Sequence, residues 1–210
     1  MKFSIIAPHY DQSISDEMFR RGMNSLLEQT FKDFEVLVYH DGPTSRDIPM
    51  PADDRFKLRV TKERENNWGH GNRDKGIRKA KGEFIVHFNP DNILYPEALE
   101  EIARESDKDY SRVGLTNNVI LFPILMRGMQ TNGRMLWRDT ENVLDNYMIF
   151  TGYPTVRNNV DAMQLVMKRD KWIAYGGWKD LTEQGDGNMY PEFVSMYGAR
   201  YCNKILGEHW

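Results

Sequence analysis

The stretch Gly82-Glu83-Phe84-Ile85-Val86-His87-Phe88-Asn89-Pro90-Asp91-Asn92 sets a carboxylate, Asp91, just beyond a run of apolar residues. Phe84 to Phe88 reads as a buried strand, and the polar residues and proline that follow end it. Open α/β sheets bind ligands in the crevice beyond the carboxyl ends of their strands. Asp91 is thereby placed where a metal ion and a phosphorylated ligand could meet. The same residues, Asn89-Pro90-Asp91-Asn92, also satisfy a plain turn. Upstream, Asn66 to Gly71 is a glycine-rich polar loop leading into a helix, whose N-terminal N–H groups favour an anion. No Gly-Lys-Ser/Thr follows, so it is not a Walker-type loop.

The elements that must position these residues follow a regular order in the first half. Lys2 to Pro8 reads as a strand ended by proline. From Asp16, the apolar residues Met18, Phe19, Met23, Leu26 and Leu27 recur at helical spacing, with Ser15 as N-cap and Asp16 and Glu17 at the positive end of the dipole. Phe34 to His40 is a second strand, closed by the turn signal Asp41-Gly42-Pro43. Phe56 to Thr61 gives a short third strand, Asn72 to Lys81 a helix, and Pro96 to Ser106 another after the central strand. This alternation predicts an α/β fold with a central, mostly parallel sheet flanked by helices.

The second half is less regular. Val113 to Phe122 suggests one or two strands, and Arg127 to Tyr147 has no clean period and reads as a loop or acceptor-facing segment. Val160 to Met167 predicts a strand, Arg169 to Tyr175 and Pro191 to Tyr197 predict helices, and a short strand is expected near Ala199 to Ile205.

Composition narrows the class. A chain of 210 residues can bury a sizeable core as one domain, and 40% hydrophobic with 28% charged residues is ordinary for a globular protein. A net charge of -3 gives no reason to expect nucleic acid as a partner. The lone Cys202 excludes an internal disulfide framework and fits a reducing compartment. No stretch approaches the length of an integral membrane segment and none resembles a signal peptide, so a soluble, cytoplasmic location is expected.

With the elements in place, the chain resembles a family 2 glycosyltransferase with the GT-A fold, in a compact form similar to glycan-synthesis enzymes of bacteria or algal viruses. Ser4-Ile5-Ile6-Ala7-Pro8-His9-Tyr10 resembles the opening strand that ends in Pro-x-Tyr. Ser25-Leu26-Leu27-Glu28-Gln29-Thr30, running on to Glu35, is similar to the family's Ser-hydrophobic-Leu-x-Gln-Thr run. His40-Asp41-Gly42 stands where the family has Asp-Asp-Gly. Arg73-Asp74-Lys75-Gly76-Ile77 and Ala80-Lys81-Gly82-Glu83-Phe84-Ile85 resemble its Arg-Asn-x-Gly-Ile and Ala-x-Gly-Glu-Tyr-Ile segments. Gly176-Gly177-Trp178 matches Gly-Gly-Phe. Two motifs depart from the pattern: the Asp-x-Asp triplet reads Asn89-Pro90-Asp91, and the acceptor-side Glu-Asp pair reads Glu183-Gln184-Gly185-Asp186.

The resemblance implies one GT-A domain over 1–210, with a nucleotide-binding half over 1–96 and an acceptor-binding half over 97–210. It implies a UDP-sugar donor, UDP-glucose or a close relative, and a glycan or glycoconjugate acceptor. Pro8 and Tyr10 would flank the uracil, with the Tyr10 ring stacking on it. Asp41 would accept from the uracil N3–H, which favours uracil over cytosine. Arg73 would reach the base or a phosphate, and His70 is either a phosphate contact or a plain loop histidine. Asn89, Pro90 and Asp91 would meet the ribose and diphosphate, Asp91 holding Mn²⁺ or Mg²⁺. His209 would complete the metal shell, unless it is a frayed terminal residue. Asp186 is the first candidate for the base that deprotonates the acceptor, then Glu183, then Asp180. A single base with in-line attack implies inversion at the anomeric carbon. Trp178 would pack against the acceptor or the sugar, or lie in the core.

Two other readings stand beside this one. A non-catalytic nucleotide-sugar-binding domain is suggested by the two altered motifs. A nucleotidyltransferase would share the sheet order, but it calls for a basic, glycine-rich loop after strand one, where this chain has Ala7-Pro8-His9-Tyr10-Asp11.

Overall fold

The computed structural model describes residues 1–110, 116–128 and 147–210. Three parallel strands, β1 (Phe3–His9), β2 (Phe34–His40) and β3 (Phe56–Val60), start the chain, with helix α1 (Asp16–Leu27) after β1 and α2 (His70–Lys79) after β3. β4 (Phe84–His87) returns to the other side of β1, also in parallel. Every residue of β2 and β4 is buried, as expected of parallel strands covered on both faces. Ser15 caps α1 as its sequence predicts, accepting from Met18 N at 3.2 Å.

Beyond β4 come β5 (Ile93–Leu94), α3 (Ala98–Asp107), β6 (Val119–Leu121), β7 (Ile124–Arg127), β8 (Tyr147–Phe150) and β9 (Leu165–Lys168). The chain then forms α4 (Arg169–Tyr175), α5 (Gly185–Tyr197), β10 (Arg200–Tyr201) and β11 (Gly207–His209). The larger sheet has the order β10-β6-β9-β4-β1-β2-β3, in which β9 alone runs antiparallel to its neighbours β4 and β6. The smaller sheet, β5-β11-β7-β8, ties the C-terminal residues to the segment just after Asp91.

Two buried devices hold the α1 end of the chain against the segment that runs from the Asp91 turn to α3. Gln29, fully buried, donates to Ser25 O at 3.0 Å and Tyr95 O at 2.8 Å and accepts from Leu99 N at 3.0 Å. The conspicuous Gln-Thr pair is thus a clamp between α1 and α3. Gly22 gives the second: a Cβ there would lie 1.9 Å from Pro90 O and 2.8 Å from Pro90 C. Only glycine lets the helix touch that backbone.

The second half departs from expectation in specific places. The run expected as a strand from Val160 opens instead on a 3₁₀ turn, Ala162–Gln164, and extends only from Leu165. Asp161 causes this, since its side chain accepts from Met163 N at 2.9 Å while Gln164 Oε1 accepts from Asp161 N at 2.9 Å, a reciprocal cap. The last helix starts at Gly185, with Pro191 inside it, because proline's preference for a first turn is a tendency and not a boundary. β5 and β11 are too short to show alternation. His209 lies in a paired strand, so the frayed-terminus alternative is excluded. The expectation for Arg127 to Tyr147 lies almost wholly outside the described residues, as does part of that for Val113 to Phe122. No helix among the described residues is long and apolar enough to cross a membrane.

Gly22→Ala should lower stability in urea unfolding by about 1–3 kcal/mol, the usual cost of overpacking against backbone. A helix substitution of glycine by alanine in open space would raise it instead, so the sign of the change reports the contact.

Candidate active site

The C-terminal ends of β1, β2 and β4 open onto a cleft of about 620 Å³. Pro8, Tyr10, Asp41, Asn89, Pro90 and Asp91 all line it, together with Arg64, Trp68 and Gly69 of the loop before α2. The structure therefore gathers the predicted nucleotide-side residues on one crevice, apart from His70 and Arg73, which stand behind its wall.

Asp41 builds that wall. Its Oδ1 accepts from Glu65 N at 3.0 Å and Asn72 Nδ2 at 3.1 Å, and its Oδ2 accepts from Asn66 N at 3.0 Å. Burial pushes the carboxyl pKa up, but these hydrogen bonds outweigh it and hold it below the usual range. The loop it anchors is strained: Asn66 has φ 50°, Trp68 φ 56° and Gly69 φ 79°. Left-handed non-glycine residues cost about 1–3 kcal/mol each and persist where surrounding structure over-determines them. One result is that Trp68, 63% exposed, stands at the cleft. Arg64 lies over the Tyr10 ring, 3.8 Å from its centroid. Sequence reading missed both Trp68 and Arg64, since a lone aromatic among Asn and Gly carries no periodicity.

Arg73 is buried behind the cleft. Its Nη1 donates to Trp68 O at 2.9 Å and meets His70 Nδ1 at 3.3 Å, while Nη2 donates to Asn89 Oδ1 at 2.5 Å. Burial lowers its pKa, against the opposing pull of Tyr190, Asp186, Asp161 and Asp91. His70 is the first residue of α2 and lies off the cleft. Its ring stacks on Trp178 at 4.1 Å, with Nε2 donating to Thr182 O at 2.9 Å and Nδ1 free to accept from Arg73. Burial, then the Arg73 charge, pulls its pKa down to about 4, so the ring is neutral at physiological pH. Trp178 is a core residue whose N–H donates to Asp74 at 3.1 Å.

Past Arg73 stands an acidic pair on two different elements. Asp186 lies in the first turn of α5, and Asp161 caps the turn before β9. Burial and the Asp161 charge push Asp186 up to about 6, against hydrogen bonds from Gly187 and Ala162 N–H and the pull of Arg73. Asp161 shifts the other way: burial raises it, but His209, Met163 N–H and Arg73 hold it below its usual value. Two carboxyls driven apart in this way suit different protonation roles. Glu183 is exposed, outside this cluster. Asp180 accepts from Thr182 N at 2.9 Å, Thr182 Oγ1 at 2.7 Å and Asn188 Nδ2 at 2.7 Å, which lowers its pKa to about 2 and makes it a loop staple.

The metal candidates share an edge. β11 pairs antiparallel with β5, Gly207 opposite Leu94 and Glu208 opposite Ile93, which brings the last residues of the chain up to the Asp91–Asn92 turn. Trp210 N donates to Asn92 Oδ1 at 3.3 Å, and Arg21 Nη2 donates to Asp91 O at 3.1 Å. His209 Nδ1 is 3.2 Å from Asp161 Oδ2. Among the described residues no group of three or more His, Cys, Asp or Glu could hold a metal ion. A divalent ion whose other ligands are substrate phosphates and water needs only one or two carboxylates from a protein, and Asp91 is the carboxylate on the cleft.

The sequence matches the family model described as Glycosyl transferase family 2 over residues 4–157. It is similar to the poly(ribitol-phosphate) beta-N-acetylglucosaminyltransferase TarS of Staphylococcus aureus, 30% identical over 165 residues, which are 74% of this chain and 27% of the relative. A Campylobacter jejuni GalNAc(5)-diNAcBac-PP-undecaprenol beta-1,3-glucosyltransferase is 25% identical over 117 residues, 53% of this chain and 37% of its own. Among solved structures, S. aureus TarS 1-349 in complex with UDP superposes with TM-score 0.67 at 18% identity, covering 100% of this chain and 60% of that one. The mannosyltransferase PcManGT from Pyrobaculum calidifontis, in complex with GDP-Man and Mn2+, gives TM-score 0.64 at 15% identity, covering 99% of this chain and 56% of that one. The fold is thus the GT-A fold, and this chain spans only about a quarter to two fifths of the curated relatives' lengths.

The acidic pair predicts an inverted pH dependence of stability. Asp186 has a pKa of about 6 in the folded chain against the ordinary aspartate value of 3.8. Below about pH 4 it is neutral in both states and contributes nothing. Between about 4 and 6 the unfolded chain ionises first, so stability falls as pH rises, and above about 6 the full penalty remains. Asp186→Asn should therefore be more stable than the native chain at pH 8 by about 3 kcal/mol, with the gain gone at pH 4, in urea unfolding at both pH values.

Proposed function

The chain belongs to glycosyl transferase family 2, and on that premise we propose that it is a metal-dependent, inverting glycosyltransferase moving a hexose from a UDP-sugar, UDP-glucose or a close relative, to a glycan or glycoconjugate hydroxyl. The observation that carries this reading is the buried Arg73, which joins a nucleotide-sized cleft to a carboxylate pair with split pKa values. Residues 1–96 serve the nucleotide and residues 97–210 the acceptor.

In the cleft, uracil stacks on Tyr10 beside Pro8, with Arg64 and Trp68 closing round it. A carboxylate offers about four lone-pair sites, and Asp41 spends three on Glu65, Asn66 and Asn72. The fourth takes the uracil N3–H, which cytosine lacks. Asp91 and His209 would hold Mn²⁺ or Mg²⁺, which would supply Lewis-acid neutralisation of the leaving diphosphate.

Asp186 receives the acceptor proton. With a pKa of about 6 it is ionised at neutral pH yet more basic than an ordinary aspartate. The acceptor oxygen bonds to the anomeric carbon as the bond from that carbon to the diphosphate oxygen breaks, and the proton passes to Asp186. One displacement inverts the configuration. Asp161 stays ionised beside His209 and keeps Asp186 basic.

Calorimetric titration with UDP, GDP and CMP, with and without Mn²⁺, tests the donor side. UDP alone should bind, with Mn²⁺ strengthening it and Asp91→Ala weakening it at least about tenfold. Equal binding of all three nucleotides, or no dependence on the metal, would remove the roles given to Asp41 and Asp91.

Asp186→Asn should keep UDP affinity within about twofold while UDP-sugar hydrolysis or transfer falls about 10²–10⁴-fold. Full turnover in that variant would move the base elsewhere. UDP-sugar binding by the native chain with neither hydrolysis nor transfer would favour the non-catalytic reading.

A further inference from the structure

One groove on the same sheet edge has no part in the site described so far. It encloses about 340 Å³ and is lined by Pro123, Thr151, Tyr153, Tyr201, Cys202 and Asn203. Tyr153 is 66% exposed and Tyr201 39% exposed, their rings edge to face with centroids 4.8 Å apart. No lining residue is charged. Apolar ring faces beside hydroxyl and amide groups match a sugar, which carries C–H faces and hydroxyl rims, and do not match a polyanion.

The backbone that carries the exposed ring is tied down by side chains of its own loop. Thr151 Oγ1 donates to Tyr153 O at 2.7 Å, Asn159 Nδ2 to Pro154 O at 2.9 Å and Thr155 Oγ1 to Gly152 O at 2.8 Å. Thr155 Oγ1 also lies 3.2 Å from Tyr201 OH. A pre-ordered aromatic surface loses little side-chain entropy when a ligand covers it.

Sheet register fixes where the groove lies relative to the acidic pair. Leu121 at the end of β6 pairs with Leu165 at the start of β9 on one side and with Tyr201 on the other. Leu165 and Tyr201 are thus two strand spacings apart, roughly 10 Å or about two sugar rings, and Asp161, four residues before Leu165, lies beyond the same edge as the groove. The nucleotide cleft lies on the opposite side of the pair, over β1 and β2. An acceptor must approach the base from the side the donor leaves open.

We propose that the Tyr153–Tyr201 groove is a distal acceptor subsite for a neutral oligosaccharide, gripping a ring about two sugars from the hydroxyl that reacts. This rests on the glycosyltransferase reading for its meaning, but its test does not depend on turnover.

The probes are cello-, malto-, manno- and N-acetylglucosamine tetrasaccharides, with the matching monosaccharides, followed by saturation-transfer NMR and calorimetry. At least one tetrasaccharide should bind the native chain, and Tyr153→Ala/Tyr201→Ala should weaken it tenfold or more, while UDP affinity stays within twofold. Tyr153→Ala alone, at a solvent-facing position that does not support the core, should weaken it at least threefold, and Tyr153→Phe should retain most of it. No tetrasaccharide bound by the native chain, or equal binding by the variants, overturns the subsite. Failure of the native chain to bind UDP would instead count against the donor reading, leaving the oligosaccharide result to stand on its own.

Discussion

The buried guanidinium of Arg73 is the constraint on which the site depends. An isolated charge in the interior is costly, and removing a partner from a buried charged pair typically costs about 3–5 kcal/mol. Arg73 avoids that cost only because three separate segments converge on it. The Trp68 carbonyl comes from the strained loop, the Asn89 amide from the turn after β4, and the carboxylates of Asp161 and Asp186 from the second half of the chain. Each segment is thereby held in relation to the others. The cleft wall and the acidic pair are two sides of one electrostatic centre.

The sheet arrangement makes this convergence possible. Parallel strands β1, β2 and β4 end together and deliver the cleft residues to one edge. Because β9 runs the other way, its start falls on that same edge and brings Asp161 to meet what β4 brings. The small sheet then returns the last residues of the chain, through β11 and β5, to the Asp91 turn. Gly22 lets α1 touch that turn, and Gln29 ties the end of α1 to Tyr95 and α3 just beyond it. Most of the site's members sit on turns and loops just beyond these elements, and they gain rigidity from the core beneath and from hydrogen bonds such as those of Asp41 and Arg73.

How much of this is readable from sequence depends on the range of the signal. β2 and α4 have the predicted bounds because fully buried strands and short helices announce themselves in consecutive residues. Tyr10, Asp41 and Asp91 are legible for a related reason: each follows a strand whose end is marked by proline or glycine. Asp161 is not legible. It sits in a run that looks like a strand, and its cap with Gln164 shows only once the backbone has turned. Its link to His209 joins residues that no local pattern relates. Asp186 is singled out by its place after Gly176-Gly177-Trp178, but what makes it basic is its burial and, after that, a carboxylate from another element. Glu183 and Asp180, the second and third candidates in sequence, are set apart from it by exposure and by local hydrogen bonds respectively.

The departure at Asn89 takes on a definite sense in this light. A carboxylate at that position would meet Arg73 as a charged partner and draw its guanidinium into a paired, fork-like contact. The amide accepts the same hydrogen bond, at 2.5 Å, without neutralising the charge. Arg73 is then left with its positive field for Asp91, Asp161 and Asp186, all of which act on it. Removing one negative charge from the turn also lessens repulsion among carboxylates that already share a small volume. The altered triplet is therefore consistent with a site whose charge balance is kept by Arg73 and needs no second aspartate there.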